Sequence, residues 1–155
     1  VTEERKGPFF FFLIKEKNIK QALVFTSSTR SADNLAEKLK KNKIPATAVH
    51  GNKSQGSRTG NLHDFKEGGT QILVATDLIG RGIHIDSLEY VINYELPRSP
   101  LDYVHRIGRT GRALESGTAI TILTDDELQH FRVIQKKMGK RVELIRTEDI
   151  NLHGF

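Results

Sequence analysis

The chain has 155 residues, a formal net charge of +5 and no cysteine, which suits one domain over residues 1–155 with a polyanionic partner. The lack of cysteine excludes a disulfide scaffold and a thiolate metal site, and the longest apolar run, residues 9–14, is far shorter than the ~20 residues of a membrane span. The charged N-terminus shows no secretory signal, so we expect an intracellular, cytoplasmic location and no membrane partner.

Apolar runs typical of buried strands alternate with helical patterns along the chain. The four phenylalanines at 9–12 are interpreted as the core face of an N-terminal helix rather than as a surface for base stacking. Apolar residues at helical spacing predict helices after the first strand, from Ser54, from Ser99 and from a capping box that begins at Thr124. The predicted strands are 22–25, 46–49, 72–75, 90–94, 117–123 and 142–145.

The alternation of strands and helices predicts an α/β fold, with a mostly parallel sheet covered by helices on both faces. Sheets of this kind bind ligands beyond the carboxyl ends of their strands. Polar and glycine-containing segments lie at these ends: Thr26 and Ser27 after the first strand, residues 51–58 after the second and residues 76–86 after the third. We therefore expect the functional site at this edge of the sheet.

The segment 105–112, which reads HRIGRTGR, carries the most specific chemistry. It places Arg109 and Arg112 three residues apart, and a guanidinium presents a rigid fork of donors that fits phosphate oxygens. Gly108 and Gly111 let a phosphate chain approach the backbone. A basic surface loop turned by glycines is the alternative reading, but the position of the segment between a helix start and a strand favours phosphate binding.

Four motifs, in order, make the chain resemble the C-terminal RecA-like domain of DEAD-box RNA helicases over nearly its whole length. Residues 23–26 (LVFT) resemble motif IV, residues 55–58 (QGSR) the QxxR motif, residues 75–77 with 81–82 motif V, and residues 105–112 motif VI. The leading His105 favours DEAD-box proteins over DEAH and RecQ-like relatives. The resemblance implies a RecA-like three-layer αβα sandwich and one half of an ATP-dependent RNA helicase that separates short duplexes locally.

The resemblance also implies a nucleotide site. Arg109 and Arg112 are the implied arginine fingers, which reach the ATP γ-phosphate across an interdomain cleft and stabilise the charge of the transition state. Gly80 and His84 are the further implied nucleotide contacts. His84 stands where the family usually has Asp, so we expect weaker or altered contact with the ribose, and Gly80 replaces the usual Ala. Mg²⁺ is expected with ATP, its ligands lying on an N-terminal RecA-like domain.

The implied RNA contacts are Arg58, Thr76 and Gly82. A guanidinium, a hydroxyl and an open backbone amide all donate to phosphate oxygens and none reads a base edge, so we expect binding to the RNA backbone without sequence preference. For Phe25, packing at the strand end explains the residue equally well, and for His105 packing within a helix is the alternative. The residues implied in interdomain coupling are His105, Arg106, Gln55 and Phe25.

Three motifs of a complete enzyme of this kind are absent from the sequence: a GxxxxGK[ST] loop, an Asp-Glu-Ala-Asp run and a Ser-Ala-Thr run. The resemblance assigns them to an N-terminal RecA-like domain of the same polypeptide, which is thus the expected partner besides RNA. We expect the isolated domain to be a monomer without ATPase activity. Two alternatives remain: a non-catalytic RNA-binding or scaffold domain of the same fold, and a DNA-directed helicase of superfamily two.

Overall fold

The structure, a computed structural model, describes residues 1–50, 55–76, 88–97, 99, 118–138 and 144–155, with only the backbone of residues 55, 57–59 and 138. Its strands are β1 (Ala22–Thr26), β2 (Ala46–Val49), β3 (Ile72–Thr76), β4 (Tyr90–Asn93) and β5 (Thr118–Thr121). They form one parallel sheet in the order β2-β3-β1-β4-β5. The central β1 therefore lies between β3 and β4, and all five of its residues are buried.

The α-helices of the described residues are α1 (Lys6–Glu16), α2 (Thr29–Lys41), α3 (Gln55–Lys66) and α4 (Leu128–Met138). α2 begins at a capping residue, because the Ser28 side chain accepts a hydrogen bond from the Ser31 N–H at 3.1 Å. Before α4, the Glu127 carboxylate accepts a hydrogen bond from the Thr124 N–H at 3.1 Å, as the predicted capping box requires. A short 3-10 turn, Asp125–Glu127, joins this cap to α4.

Successive residues of β1 point to opposite faces of the sheet and build two separate core clusters. Ala22 and Val24 pack in the cluster that holds α1 and α2, whereas Leu23 and Phe25 pack with Phe65 of α3. Helices therefore cover both faces of a parallel sheet. This arrangement confirms the predicted αβα sandwich.

The phenylalanine run of α1 belongs to the core. Phe9 and Phe10 are buried among the residues of the first cluster, and Phe11 and Phe12 pack against it while partly exposed. The Phe10 ring lies 5.2 Å from the ring of Tyr94, at the end of β4. The interpretation of the run as a core face is thus confirmed.

The remaining predictions of secondary structure are partly wrong or lie outside the described residues. The strand predicted at 117–123 is shorter, Thr118–Thr121, and lies at an edge of the described sheet. The strand predicted at 142–145 is wrong for its described half, because Leu144 and Ile145 lie outside any strand with 49% and 76% of their surface exposed. The starts predicted at Ser54 and after Ser99 involve residues 51–54 and 100–117, which lie outside the described residues. No helix of the described ranges has the length and apolar character needed to cross a bilayer.

Candidate functional site at the carboxyl ends of the strands

The carboxyl ends of the strands bring polar residues from distant parts of the sequence to one edge. Thr26 of β1 stands directly beside Thr76 of β3 in the register of the two strands, and both are buried. Asn93 ends β4 beside Phe25, and its side-chain amide donates a hydrogen bond to the Thr121 hydroxyl at 3.0 Å. The expected RNA contact Thr76 therefore lies at the edge where parallel sheets bind ligands.

Phe25 contributes to this edge in two ways. Its side chain is 1% exposed and packs in the cluster beneath β1 and β3, together with Phe65. Its carbonyl oxygen accepts hydrogen bonds from the N–H groups of Tyr94 at 3.0 Å and Glu95 at 3.3 Å, which fixes the path of the chain as it leaves β4. The packing expected as the alternative for Phe25 is thus observed. The coupling role expected for Phe25 would act on residues 105–112, which lie outside the described residues.

A carboxylate from the end of β4 holds the junction between β1 and α2. Glu95 accepts hydrogen bonds from the Ser27 N–H at 2.8 Å through Oε1 and from the Ser31 hydroxyl at 3.3 Å through Oε2. The Ser27 hydroxyl donates to the carbonyl oxygen of Leu96 at 3.4 Å. Because a negative charge near a helix N-terminus is favourable, Glu95 also stabilises the first turn of α2. The sequence reasoning missed this residue; the signal was a Ser-rich helix start and a carboxylate, each directly following a predicted strand.

A second missed contact lies at the end of β2. His50 Nε2 is 3.0 Å from the Asp33 Oδ1 of α2, with the His50 side chain 3% exposed and the Asp33 side chain 50% exposed. The pair ties the exit of β2 to α2 immediately before residues 51–54. The pair thus anchors the chain a few residues before α3, which begins at Gln55 and contains Arg58 in its first turn.

Tyr94 has an unusual environment beside this edge. Burial, followed by the carboxylates of Glu95 and Glu3, raises the pKa of Tyr94 to about 12. The Lys6 ammonium lies 4.8 Å from the centre of its ring, a cation–π contact, and Lys6 is itself buried. The Tyr94 hydroxyl is therefore protonated at neutral pH, and the ring packs against α1 and the core.

The described residues account for only part of the predicted site. Thr76, Phe25 and the backbone of the α3 turn that carries Gln55 and Arg58 lie at the carboxyl edge. Among the residues that the structure describes, no three His, Asp or Glu side chains are grouped so as to hold a metal ion. The remaining predicted site residues lie outside the described residues; they are Gly80, Gly82, His84, His105, Arg106, Arg109 and Arg112.

Comparison with known proteins gives a consistent result. Residues 8–114 match the family described as helicase conserved C-terminal domain. The ATP-dependent RNA helicase dbp8 of Emericella nidulans is 40% identical over 151 residues, which are 97% of this chain and 29% of that protein.

The solved structures that are similar to this fold include two DEAD-box proteins. A DEAD box protein from the hyperthermophile Methanococcus jannaschii superposes with a TM-score of 0.88 and 38% identity, covering 94% of this chain and 40% of that chain. S. cerevisiae Dbp5 bound to RNA and ADP BeF3 superposes with a TM-score of 0.85 and 31% identity, covering 96% of this chain and 40% of that chain. This chain thus spans less than half the length of each relative.

Proposed function

Because the chain belongs to the helicase conserved C-terminal domain family, and within it to the RecA-like domains of DEAD-box proteins, we propose that it forms half of an ATP-dependent RNA helicase. The carboxyl edge of the sheet carries this proposal, because it aligns Thr76 with the end of β1 and lies where the chain leaves β2 for α3. The other half is an N-terminal RecA-like domain of the same polypeptide. The greater length of the relatives supports this arrangement.

The RNA track of this half consists of Arg58, Thr76 and Gly82. Each offers a hydrogen-bond donor to phosphate oxygens, so the domain binds the RNA backbone without reading the bases. Two contacts join this edge to α2 and its start: Glu95 on Ser27 and His50 on Asp33. Contacts that order a binding edge before RNA arrives favour binding, because less conformational entropy is lost when RNA binds.

Arg109 and Arg112 act on the nucleotide in this proposal. ATP supplies the phosphoryl group that is transferred to water, and Mg²⁺ is held by the N-terminal domain. The two guanidiniums stabilise the negative charge that develops on the phosphate oxygens, a contribution of roughly 10³–10⁵ in rate for arginine fingers. Gly80 and His84 are the further nucleotide contacts of this proposal, and we expect the imidazole to give a weaker or altered ribose contact compared with a carboxylate. His105, Arg106, Gln55 and Phe25 couple the closure of the cleft to RNA binding.

The experiment joins this chain to a DEAD-box N-terminal domain and measures ATP hydrolysis with and without RNA. We expect RNA-stimulated turnover in the two-domain protein and none in the 155-residue chain alone. Arg112→Lys should lower kcat by about 10³ or more, because the ammonium keeps the charge but lacks the planar fork. Thr76→Val should raise the RNA concentration needed for half-maximal stimulation and leave kcat at saturating RNA unchanged.

Thr118→Val is the matched control, since Thr118 is an exposed residue at the amino end of β5. It should leave both parameters as they are. Equal stimulation by single-stranded DNA would contradict the RNA assignment. Full turnover in the Arg109→Ala/Arg112→Ala double variant would contradict the assignment of the arginine fingers.

A further inference from the structure

Two lysine-rich segments lie far from the motifs. Residues 15–20 and 38–43 contain seven lysines and one glutamate, a charge of +6 in twelve residues. Further cationic runs lie at 105–112, with three arginines, and at 132–141, with five lysines and arginines. We call the two segments 15–20 and 38–43 the lysine rim; its lysines are Lys15, Lys17, Lys20, Lys38, Lys40, Lys41 and Lys43.

The fold places both segments at the amino ends of the strands, opposite the candidate site. α1 ends just before β1, and α2 runs back from the end of β1 to the start of β2. Both helices pack in the same core cluster and therefore lie on the same face of the sheet. The starts of β1, β3 and β2 are aligned, because the Ala22 N–H donates to Gln71 O and the Gln71 N–H donates to Pro45 O, each at 3.0 Å. At about 4.8 Å per strand spacing, the starts of β1 and β2 lie about 10 Å apart.

The charges of the rim are largely uncompensated. All seven lysines are exposed. Among the described residues, their one ion pair joins Lys40 to Glu37 at 3.7 Å, with side chains 52% and 65% exposed, where such pairs contribute little. Lys15 also lies over the Phe155 ring at 5.5 Å. The two helix C-termini offset only about half a charge each, so a net positive surface remains.

Lys43 shows a conflict between local stability and charge. Its φ of 63° lies in the left-handed region that favours glycine, and it closes the end of α2, where the Ile44 N–H bonds to the Leu39 carbonyl oxygen at 2.9 Å. Asn18, with φ of 48°, closes α1 in the same way. Asparagine tolerates this conformation better than lysine does. The chain thus carries a cation at a turn where glycine would be less strained.

We propose that the lysine rim binds the phosphate backbone of RNA, beyond the stretch held at the carboxyl edge. The two lysine segments contain no arginine and no aromatic residue, and Phe155 is the ring beside Lys15. Ammonium groups suit contact with phosphates and not with bases. A lipid surface fits less well, because Ile19 and Leu39 are buried and the other residues between the lysines are polar or acidic. The inference rests on RNA as the substrate class of the proposed function.

The two edges are separated by the length of the strands. The five residues of β1 span about 17 Å at about 3.3 Å per residue, so an RNA must extend beyond one edge to reach the other. The rim should therefore contribute to the binding of an RNA of about 25 nucleotides, which spans tens of ångströms at about 3.4 Å per nucleotide. It should contribute little to an RNA of about 6 nucleotides that fills the carboxyl edge alone.

The test measures the affinity of the 155-residue chain for fluorescent RNA of both lengths as a function of salt. The rim variant is Lys20→Gln/Lys41→Gln/Lys43→Gln. Three lost phosphate contacts lower the slope of log affinity against log salt by about 2, at about 0.7 per contact with a single strand. Raising the salt from about 50 to 200 mM weakens the binding of long RNA by both proteins. The factor by which the affinity falls should be roughly 15 to 20 times smaller for the rim variant than for the parent chain.

The matched control is Arg132→Gln/Lys136→Gln/Lys137→Gln, which removes three exposed cations from α4 outside the rim. It should leave the slope unchanged. Lys43→Gly distinguishes the loss of a charge from a loss of stability. It should keep or raise the melting temperature and lower the slope of log affinity against log salt by about 0.7. All variants are compared by thermal unfolding.

Two results would overturn the proposal. One is an unchanged slope for long RNA in the rim variant; if the same variant also loses binding to vesicles of anionic lipid, the rim is a membrane contact. The other is an equal loss of slope in the α4 control. Failure of the rim is distinct from failure of the proposed function, because Thr76→Val tests the carboxyl edge with short RNA and leaves the rim intact.

Discussion

Glu95 offers a direct test of how the edge of this sheet is held in place. Its carboxylate joins the end of β4 to the start of α2 through the Ser27 N–H at 2.8 Å and the Ser31 hydroxyl at 3.3 Å. We consider the substitution Glu95→Ala, which removes both acceptors and the negative charge near the helix N-terminus.

The magnitude follows from these contacts. A hydrogen bond to a charged group contributes ~1.5–3 kcal/mol, and the lower end applies because water can reach the exposed Ser27 N–H. The loss of favourable charge at the N-terminus of α2 adds ~0.3–1 kcal/mol. The sum is about 2 kcal/mol, which lowers the melting temperature of a chain of this length by about 4–8 °C. Glu95→Gln, which keeps one acceptor, should cost about half as much.

The assay is thermal unfolding of the Glu95 variants, with amide hydrogen exchange of Ser27 as a local readout. Glu89→Ala is the control, since it removes an exposed carboxylate just before β4. Ser31→Ala combined with Glu95→Ala should destabilise less than the sum of the single variants, because the two side chains share a hydrogen bond. The reasoning is refuted if Glu95→Ala melts within about 1 °C of the parent chain, or if Glu89→Ala has the same effect.

Three further predictions concern the fold around the site. The pKa of Tyr94 is raised from 10.0 to about 12, so the unfolded chain releases this proton at a lower pH than the folded chain does. The contribution of Tyr94 to the free energy of unfolding is therefore fully present below about pH 10 and is lost as the pH rises towards 12. Tyr94→Phe should remove that part of the decline when denaturant unfolding is measured against pH. Phe10→Ala should lower the free energy of unfolding by ~3–5 kcal/mol, because the ring is 0% exposed. Phe11→Ala should lower it clearly less, because Phe11 is partly exposed. Equal losses in urea unfolding would contradict the packing of α1. Ser28→Ala should cost ~1 kcal/mol and Ser28→Gly only a few tenths, and a larger loss for Gly than for Ala would exclude the capping role of this hydroxyl.

The amino-acid sequence determined the class of fold through local patterns. Short continuous apolar runs indicated buried parallel strands, and four of the five observed strands contain or match the predicted ranges closely, because such runs remain buried wherever their neighbours lie. The capping box at Thr124 marked the start of a helical segment for the same local reason. The failure at Leu144 and Ile145 shows the limit, since both side chains stay exposed and no burial favours a strand there.

The tertiary structure alone decided which distant residues meet. The order β2-β3-β1-β4-β5 places Thr26 beside Thr76, Glu95 beside Ser27 and His50 beside Asp33, and none of these pairs follows from spacing along the chain. The same order brings two lysine-rich helix ends, far apart in sequence, onto one face at the amino edge. Local composition fixes what each segment tends to form, whereas hydrogen bonding between strands and burial of shared side chains determine which segments become neighbours.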